Sequence, residues 1–168
     1  MARCRRRAHH VVRAMGPRSP GMTVSMRPAQ PADRAAVLAI SAQVWDGHDY
    51  LPEVWESWLC DPAGPVLVTL VDGGLAAVCK ITLQDPSEAW LAGIRVDPAY
   101  RGRGVATATT SGQLEWLAAR GVPVARFTTA SDNVAIHQLA ARLGFHRVAA
   151  VQQCSQPIRL GQQAPALR

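Results

Sequence analysis

Between Leu91 and Ala106 the chain reads Leu-Ala-Gly-Ile-Arg-Val-Asp-Pro-Ala-Tyr-Arg-Gly-Arg-Gly-Val-Ala, and this stretch limits the possible folds more than any other. Leu91–Val96 is an apolar, strand-like run. Asp97-Pro98 ends it, because proline donates no N–H and drives its predecessor away from helix. A helix then opens near Gly104. Gly102 and Gly104 let backbone approach a ligand without an intervening Cβ, and the first N–H groups of the helix, from Val105 onward, have no partner inside it. Partial positive charge at the helix start, with Arg101 and Arg103 beside it, suits a pyrophosphate. The pattern is neither the three-glycine dinucleotide fingerprint nor a Walker loop, which ends in Gly-Lys-Ser/Thr. Its plain alternative is a glycine turn flanked by solvated arginines.

A second segment, Asn133-Val-Ala-Ile-His-Gln-Leu-Ala-Ala-Arg-Leu-Gly-Phe145, is a self-consistent amphipathic helix. Ser131, Asp132 or Asn133 can cap its start, Ile136, Leu139, Ala140 and Leu143 make one apolar stripe, and Gly144 ends it. Taken in order, the two segments resemble the GCN5-related N-acetyltransferase (GNAT) family. That family's acetyl-CoA loop is Gln/Arg-x-x-Gly-x-Gly/Ala, matched here by Arg101, Gly104 and Ala106, and its later helix opens on Asn and closes on Leu-Gly-Phe. The resemblance covers roughly residues 22 to 155. It implies an α/β fold with a central twisted mixed sheet flanked by helices, whose fourth and fifth strands splay apart. It further implies acetyl-CoA as co-substrate, with Ile94 and Val96 on the fourth strand, Arg101, Gly102, Arg103, Gly104, Val105 and Ala106 on the pyrophosphate, and Asn133 on pantetheine. The Ile94 N–H would polarise the thioester carbonyl for direct attack by a primary amine in a ternary complex.

The remaining pattern agrees with that order of elements. Strands are expected at 23–27, 66–71, 75–83, 89–96, 122–128 and 146–153, and helices at about 31–44, 52–60, 105–120 and 133–143. Asp72-Gly73-Gly74 marks a hairpin between the second and third strands. A last strand is hard to place, since after Pro157 only Ile158-Arg159-Leu160 is strand-like. Thr107-Ala-Thr-Thr-Ser-Gly112 is poor helix sequence, each Thr, Ser or Gly costing about 0.5–1 kcal/mol against Ala, so that helix depends on tertiary contacts or cofactor.

Proton chemistry is where the chain departs from the resemblance. Many members of the family carry a tyrosine seven residues after the Asn and a carboxylate on the fourth strand; here those positions are Ala140 and Ala92. Either positioning and water suffice, or an acyl-CoA-binding sensor remains. An α-amine of pKa ~8 is about a tenth free base at pH 7, against on the order of 0.04% for a lysine amine of pKa ~10.4. An acceptor of low pKa therefore needs no strong base; a small molecule such as an amino acid is the expected acceptor, with a protein N-terminus or a lysine as the alternative. The acceptor side falls on Trp45-Asp-Gly-His-Asp-Tyr-Leu-Pro-Glu-Val-Trp55. Asp46, Asp49 and Glu53 are candidates to hold an ammonium, His48 or Glu53 to move a proton, and Trp45, Tyr50 and Trp55 to pack on the acceptor. The wording Gly47-x-Asp-Tyr-Leu-Pro52 resembles amino-acid N-acetyltransferases acting on histidine. Read plainly, the same residues are core and solvated rim.

Composition places few further demands. A chain of 168 residues, 48% hydrophobic, holds one core,, and no stretch approaches the ~20 apolar residues of a membrane span. Cys4, Cys60, Cys79 and Cys154 and the five histidines show no metal-like spacing, so no metal is expected and a reducing cytoplasm fits. The net charge of +6 comes from six arginines among residues 1–21, which hold no acid; the rest balances 12 basic against 12 acidic residues. A nucleic-acid face is therefore not expected on the domain. Residues 1–21 read as a disordered Arg-rich extension, 22–156 as the acetyltransferase domain and 157–168 as a short C-terminal edge or tail, in a monomer or homodimer.

Overall fold

The computed structural model describes residues 22–151. Its sheet grows from the hairpin joining β2 (Val66–Val71) to β3 (Gly74–Asp85). Asp72 and Gly73 turn there with φ of +49° and +86°, the left-handed pair whose twist matches a two-residue hairpin. The Asp72 carboxylate also accepts the Thr23 N–H at 2.9 Å, which ties the turn to the entrance of β1 (Val24–Pro28). The five strands stand in chain order. β1 to β4 (Glu88–Val96) pair antiparallel, and β5 (Val124–Arg126) joins β4 in parallel.

Helices cover both faces, which is why β2 and β3 are apolar on both sides. On one face, α1 (Arg34–Ser41) and α2 (Leu51–Leu59) bury Val37, Leu51 and Trp55 against Val66, Val68 and Val78. On the other, α3 (Val105–Ala118) packs Val105 and Leu117 over Ala77, Cys79, Ile81 and Leu91. The threonine-rich start of α3 is held by tertiary bonds: Thr109 and Thr69 share a buried hydroxyl hydrogen bond of 2.8 Å, and the Gln113 side-chain amide donates to the Lys80 carbonyl at 3.1 Å. α4 (Val134–Arg142) follows β5.

Two irregularities in β4 determine which residues it presents to each helix layer. Its pairing with β5 ends at Trp90–Arg126, so Leu91–Val96 continue with that edge open and the two strands diverge, as a splayed sheet requires. Against β3, the register passes from Lys80–Ala92 to Val78–Arg95. Cys79 of β3 thus faces two residues of β4, Gly93 and Ile94, which is a β-bulge,. Side chains alternate along a regular strand, so Ala89 and Leu91, which face α3, would be followed on that side by Gly93 and Arg95. The extra residue resets the alternation. Ile94 and Val96 instead join the apolar clusters on the α3 side, and Arg95 turns toward α1 and α2.

The order of elements is the expected one, with corrections at the ends. β5 is three residues, shorter than 122–128, and residues 31–33 form a 3-10 turn ahead of α1. The strand expected at 146–153 is not formed over residues 146–151. Val148 and Val151 lie 77% and 82% exposed, so that segment gains no sheet burial. The expected disordered extension at 1–21, the strand-like run at Ile158–Leu160 and the tail 157–168 lie outside the described residues.

Gly93 is the position where the bulge is most open to test. Its φ is +63°, and a Cβ there would sit 2.6 Å from Cζ3 of Trp58. Gly93→Ala should therefore destabilise the fold by about 1–3 kcal/mol for the forced overlap, in addition to left-handed strain. Chemical denaturation is the check, and replacement of Trp58 by Leu should recover part of the overlap cost.

Candidate functional site

The glycine loop has the geometry of an anion cradle. Asp97 accepts the Ala99 N–H at 2.9 Å and stops the strand, Pro98–Tyr100 form one 3-10 turn, and α3 begins at Val105. Gly102 and Gly104 both take left-handed φ, +73° and +77°, and a Cβ on either would meet nothing within 4 Å. The loop thus turns open space, rather than protein, toward its glycines. Gly104 is the N-cap and supplies no side-chain cap to the helix, leaving the leading N–H groups available to a ligand. Arg101 and Arg103 are exposed beside it, Arg101 braced on the Val96 carbonyl at 3.3 Å and Arg103 lying 5.8 Å over the Tyr100 ring. Tyr100 in turn packs on the β2–β3 turn, its hydroxyl 2.7 Å from where a Gly74 Cβ would stand. Val105 is 1% exposed, so only its backbone can serve a ligand, whereas Ala106 is half-buried at the first turn. These residues fit a pyrophosphate by shape, charge and donor supply.

Asn133 stands at the start of α4, where its side-chain carbonyl accepts the Ile136 N–H at 3.3 Å; it is the cap among the three candidates. His137 is exposed and contacts the Ala130 carbonyl at 3.1 Å. Ala140 is half-buried. Ala92 pairs across the sheet with Lys80, whose buried ammonium is held by Asp61 at 2.8 Å and by the Gly64 and Ile81 carbonyls at 2.8 and 2.7 Å. That cation is neutralised and bonded in place.

On the opposite face the bulge meets the link between α1 and α2. Arg95 donates to both oxygens of Asp49, at 3.0 and 2.8 Å, and to the carbonyl of Ile94 at 3.0 Å. Ser41 donates to the same Asp49 carboxylate at 2.8 Å. Burial alone would push Asp49 up, but the Arg95 and Ser41 hydrogen bonds outweigh it and hold the carboxyl below its ordinary value. Burial likewise works against the Arg95 charge, and Asp49 more than restores it. The guanidinium also lies 4.6 Å from the Trp45 ring centre and 5.3 Å from that of Tyr50. Tyr50 meets Trp58 edge to face at 5.9 Å, and Trp58 covers Gly93. Trp58, Tyr50 and Trp45 therefore form a continuous aromatic wall running outward from the bulge.

Several expected roles need correction. Asp49 is not available to an acceptor ammonium, because its side chain is 1% exposed and already paired with Arg95. Trp55, expected to touch the acceptor, is 0% exposed in the core with its indole N–H unpartnered. Trp45, Asp46, His48, Tyr50 and Glu53 are all exposed on or beside the link. Arg95 and Trp58, the residues that organise this side, belong to no motif. An arginine inside an otherwise apolar strand, with an acid in the preceding loop, is the only signal of them in the sequence.

Cradle, open strand edge and sheet order agree with one family: the chain belongs to the acetyltransferase (GNAT) family, whose family model matches residues 33–145. It is 41% identical over 95 residues to the human probable N-acetyltransferase 16, a match covering 55% of this chain and 26% of that protein. It is 37% identical over 71 residues to the histidine N-acetyltransferase of Oreochromis niloticus, covering 42% and 21%. The chain thus spans about a quarter of the length of these curated relatives. Among solved structures it is similar in fold to AAC(6')-Iy in complex with a CoA-containing bisubstrate analogue, with a TM-score of 0.67, 19% identity, and coverage of 80% of this chain and 99% of that one. Among the described residues no helix is long and apolar enough to cross a membrane, and no group of three His, Cys, Asp or Glu side chains is placed to hold a metal.

Because Arg95 and Asp49 are nearly sequestered, removal of one strands the other. Arg95→Met should cost about 3–5 kcal/mol, and the double variant Arg95→Met/Asp49→Leu should recover most of that loss in urea unfolding. The depressed Asp49 carboxyl stabilises the fold fully above the ordinary carboxylate range, and this contribution is lost as pH falls through its lower folded value,. Native stability should accordingly fall more steeply in acid than that of the double variant, which lacks the carboxyl,.

Proposed function

We propose that this chain is an acetyl-CoA-dependent N-acetyltransferase acting on the primary amine of a small molecule, with an amino acid as the leading acceptor class. The observation that carries this is the arrangement of a glycine cradle at the start of α3, an open and bulged β4 edge, and an aromatic wall on the opposite face. Family membership supports the reaction class. The names of the relatives, one an acetyltransferase of histidine, support the acceptor class.

In this reading the CoA pyrophosphate rests on the backbone of Gly102, Gly104, Val105 and Ala106, with Arg101 and Arg103 supplying charge-assisted bonds. Asn133 adds a pantetheine contact through the amide nitrogen that its capping role leaves over. Ile94 and Val96 lie on the strand edge that β5 leaves open, where pantetheine can continue the backbone ladder. The Ile94 N–H serves as oxyanion donor while the amine nitrogen attacks the thioester carbon, the C–S bond breaks, CoA leaves as thiolate, and the proton shed by the new amide nitrogen passes to water or to that thiolate. The thiol is acidic enough to leave without a protein acid. Alanine at 92 and 140 leaves neither usual position able to move a proton, so the acceptor loses its proton to water and attacks through its free-base fraction. Exposed Asp46 and Glu53 gather its ammonium form, with His48 at the rim.

Acetyl-CoA-dependent thiol release over a panel of amines tests this reading. Turnover should favour α-amines over ε-amines, and kcat/KM should rise with pH along each acceptor's own ionisation. His48→Ala and Glu53→Gln should change KM more than kcat. A bell-shaped profile that His48→Ala abolishes would contradict direct attack without a protein base. Normal CoA binding with no turnover of any amine would favour a sensor instead.

A further inference from the structure

Trp45 is set in an unusual way. Its φ is +48°, and Asp46 and Gly47 follow at +54° and +86°, so three consecutive residues adopt left-handed backbone that aspartate and glycine tolerate but a tryptophan ordinarily avoids. The segment is kept there by hydrogen bonds from the Gly47 N–H to the Val44 carbonyl and from the His48 N–H to the Trp45 carbonyl, each 3.0 Å, and by the Arg95–Asp49 pair behind it. The outcome is an indole that remains 61% exposed while resting against a guanidinium that is itself anchored to the bulge carbonyl of Ile94. Tyr50 lies alongside, its ring centre 6.4 Å from that of Trp45 and its plane within 30°. A strained backbone that holds a large aromatic outward, against a side chain anchored on the strand proposed to hold the thioester, leaves most of that residue unburied. It has a recognition rationale.

We infer that Trp45 and Tyr50, braced by Arg95, form a stacking face that selects acceptor amines bearing a planar aromatic or heteroaromatic group. This rests on the reading of the chain as an amine acetyltransferase and adds to it what the acceptor must carry. Charge agrees with the assignment. Arg95 is already neutralised by Asp49, whereas Asp46 and Glu53 are exposed and form no ion pair among the described residues. The surroundings thus favour an ammonium beside the ring. Aromatic faces prefer offset or edge contacts with other π systems over aliphatic ones of equal size, so planarity, rather than hydrophobicity alone, is what this face distinguishes. Trp45 is a specificity residue in this account, and Arg95 is a positioning residue that acts through it.

Two matched pairs separate planarity from bulk: phenylalanine against cyclohexylalanine, and phenethylamine against cyclohexylethylamine, each assayed for CoA release with the full chain. The planar member of at least one pair should show kcat/KM at least tenfold higher. Trp45→Ala should lower kcat/KM for the planar member by several-fold more than for its cyclohexyl partner and so abolish the preference. Trp45→Phe should restore most of the preference. Equal rates within both pairs, or equal losses for planar and non-planar acceptors in Trp45→Ala, would overturn the inference while leaving acetyl transfer intact. Absence of turnover with every amine would overturn the acetyltransferase reading and this inference together.

Discussion

The bulge at Gly93-Ile94 is the constraint on which the rest of the site depends. One extra residue in β4 changes which side chains face which helix layer. Without it, Arg95 would enter the apolar layer under α3, where a guanidinium has no partner and burial of an unpaired charge is prohibitive. With it, Ile94 and Val96 complete that layer, and Arg95 reaches Asp49 across the opposite face. Trp58 fits over the bulge only because residue 93 has no Cβ. The buried ion pair and the aromatic wall are thus consequences of a single local insertion that a glycine makes possible.

The two substrate sides differ in how their order is maintained. The cradle is built almost wholly from backbone: left-handed glycines, a helix start without a side-chain cap, and two exposed arginines. Its affinity is therefore expected to depend on conformation more than on side-chain identity. The acceptor side is built from side chains and tied to the sheet by Arg95, whose bonds reach Asp49 and the carbonyl of Ile94. Ile94, whose N–H is proposed to stabilise the oxyanion, and the loop proposed to hold the acceptor consequently share one anchor. A shift of the loop is felt at the strand.

Backbone chemistry is legible in the sequence, and side-chain pairing largely is not. Pro98, Gly102 and Gly104 locate the turn because few residues tolerate those conformations, and Asn133 and Gly144 bracket α4 by the same logic of caps. The Arg95–Asp49 pair escapes a sequence reading because it depends on alternation through the bulge, and Gly93 between apolar neighbours reads as regular strand. Asp49 and Trp55 look like acceptor residues because neither the link nor the start of α2 discloses which of its side chains turn inward; Asp49 and its partner lie 46 positions apart in the chain. The start of α3 reads as weak, and by propensity it is. The bonds Thr109 makes to β2 and Gln113 to β3 are long-range and leave no local trace.

The central claim is that the glycine loop carries CoA, and calorimetric titration of CoA into native chain, Gly104→Ala and Gly104→Glu tests it most directly. Both substitutions meet the same left-handed backbone, φ +77°, so alanine reports the strain of about 1–2 kcal/mol and glutamate adds charge and bulk where the pyrophosphate is expected. The account predicts a modest loss for alanine and a further loss of at least tenfold for glutamate, with both variants folded by circular dichroism. Equal CoA affinity in a folded Gly104→Glu chain would contradict it.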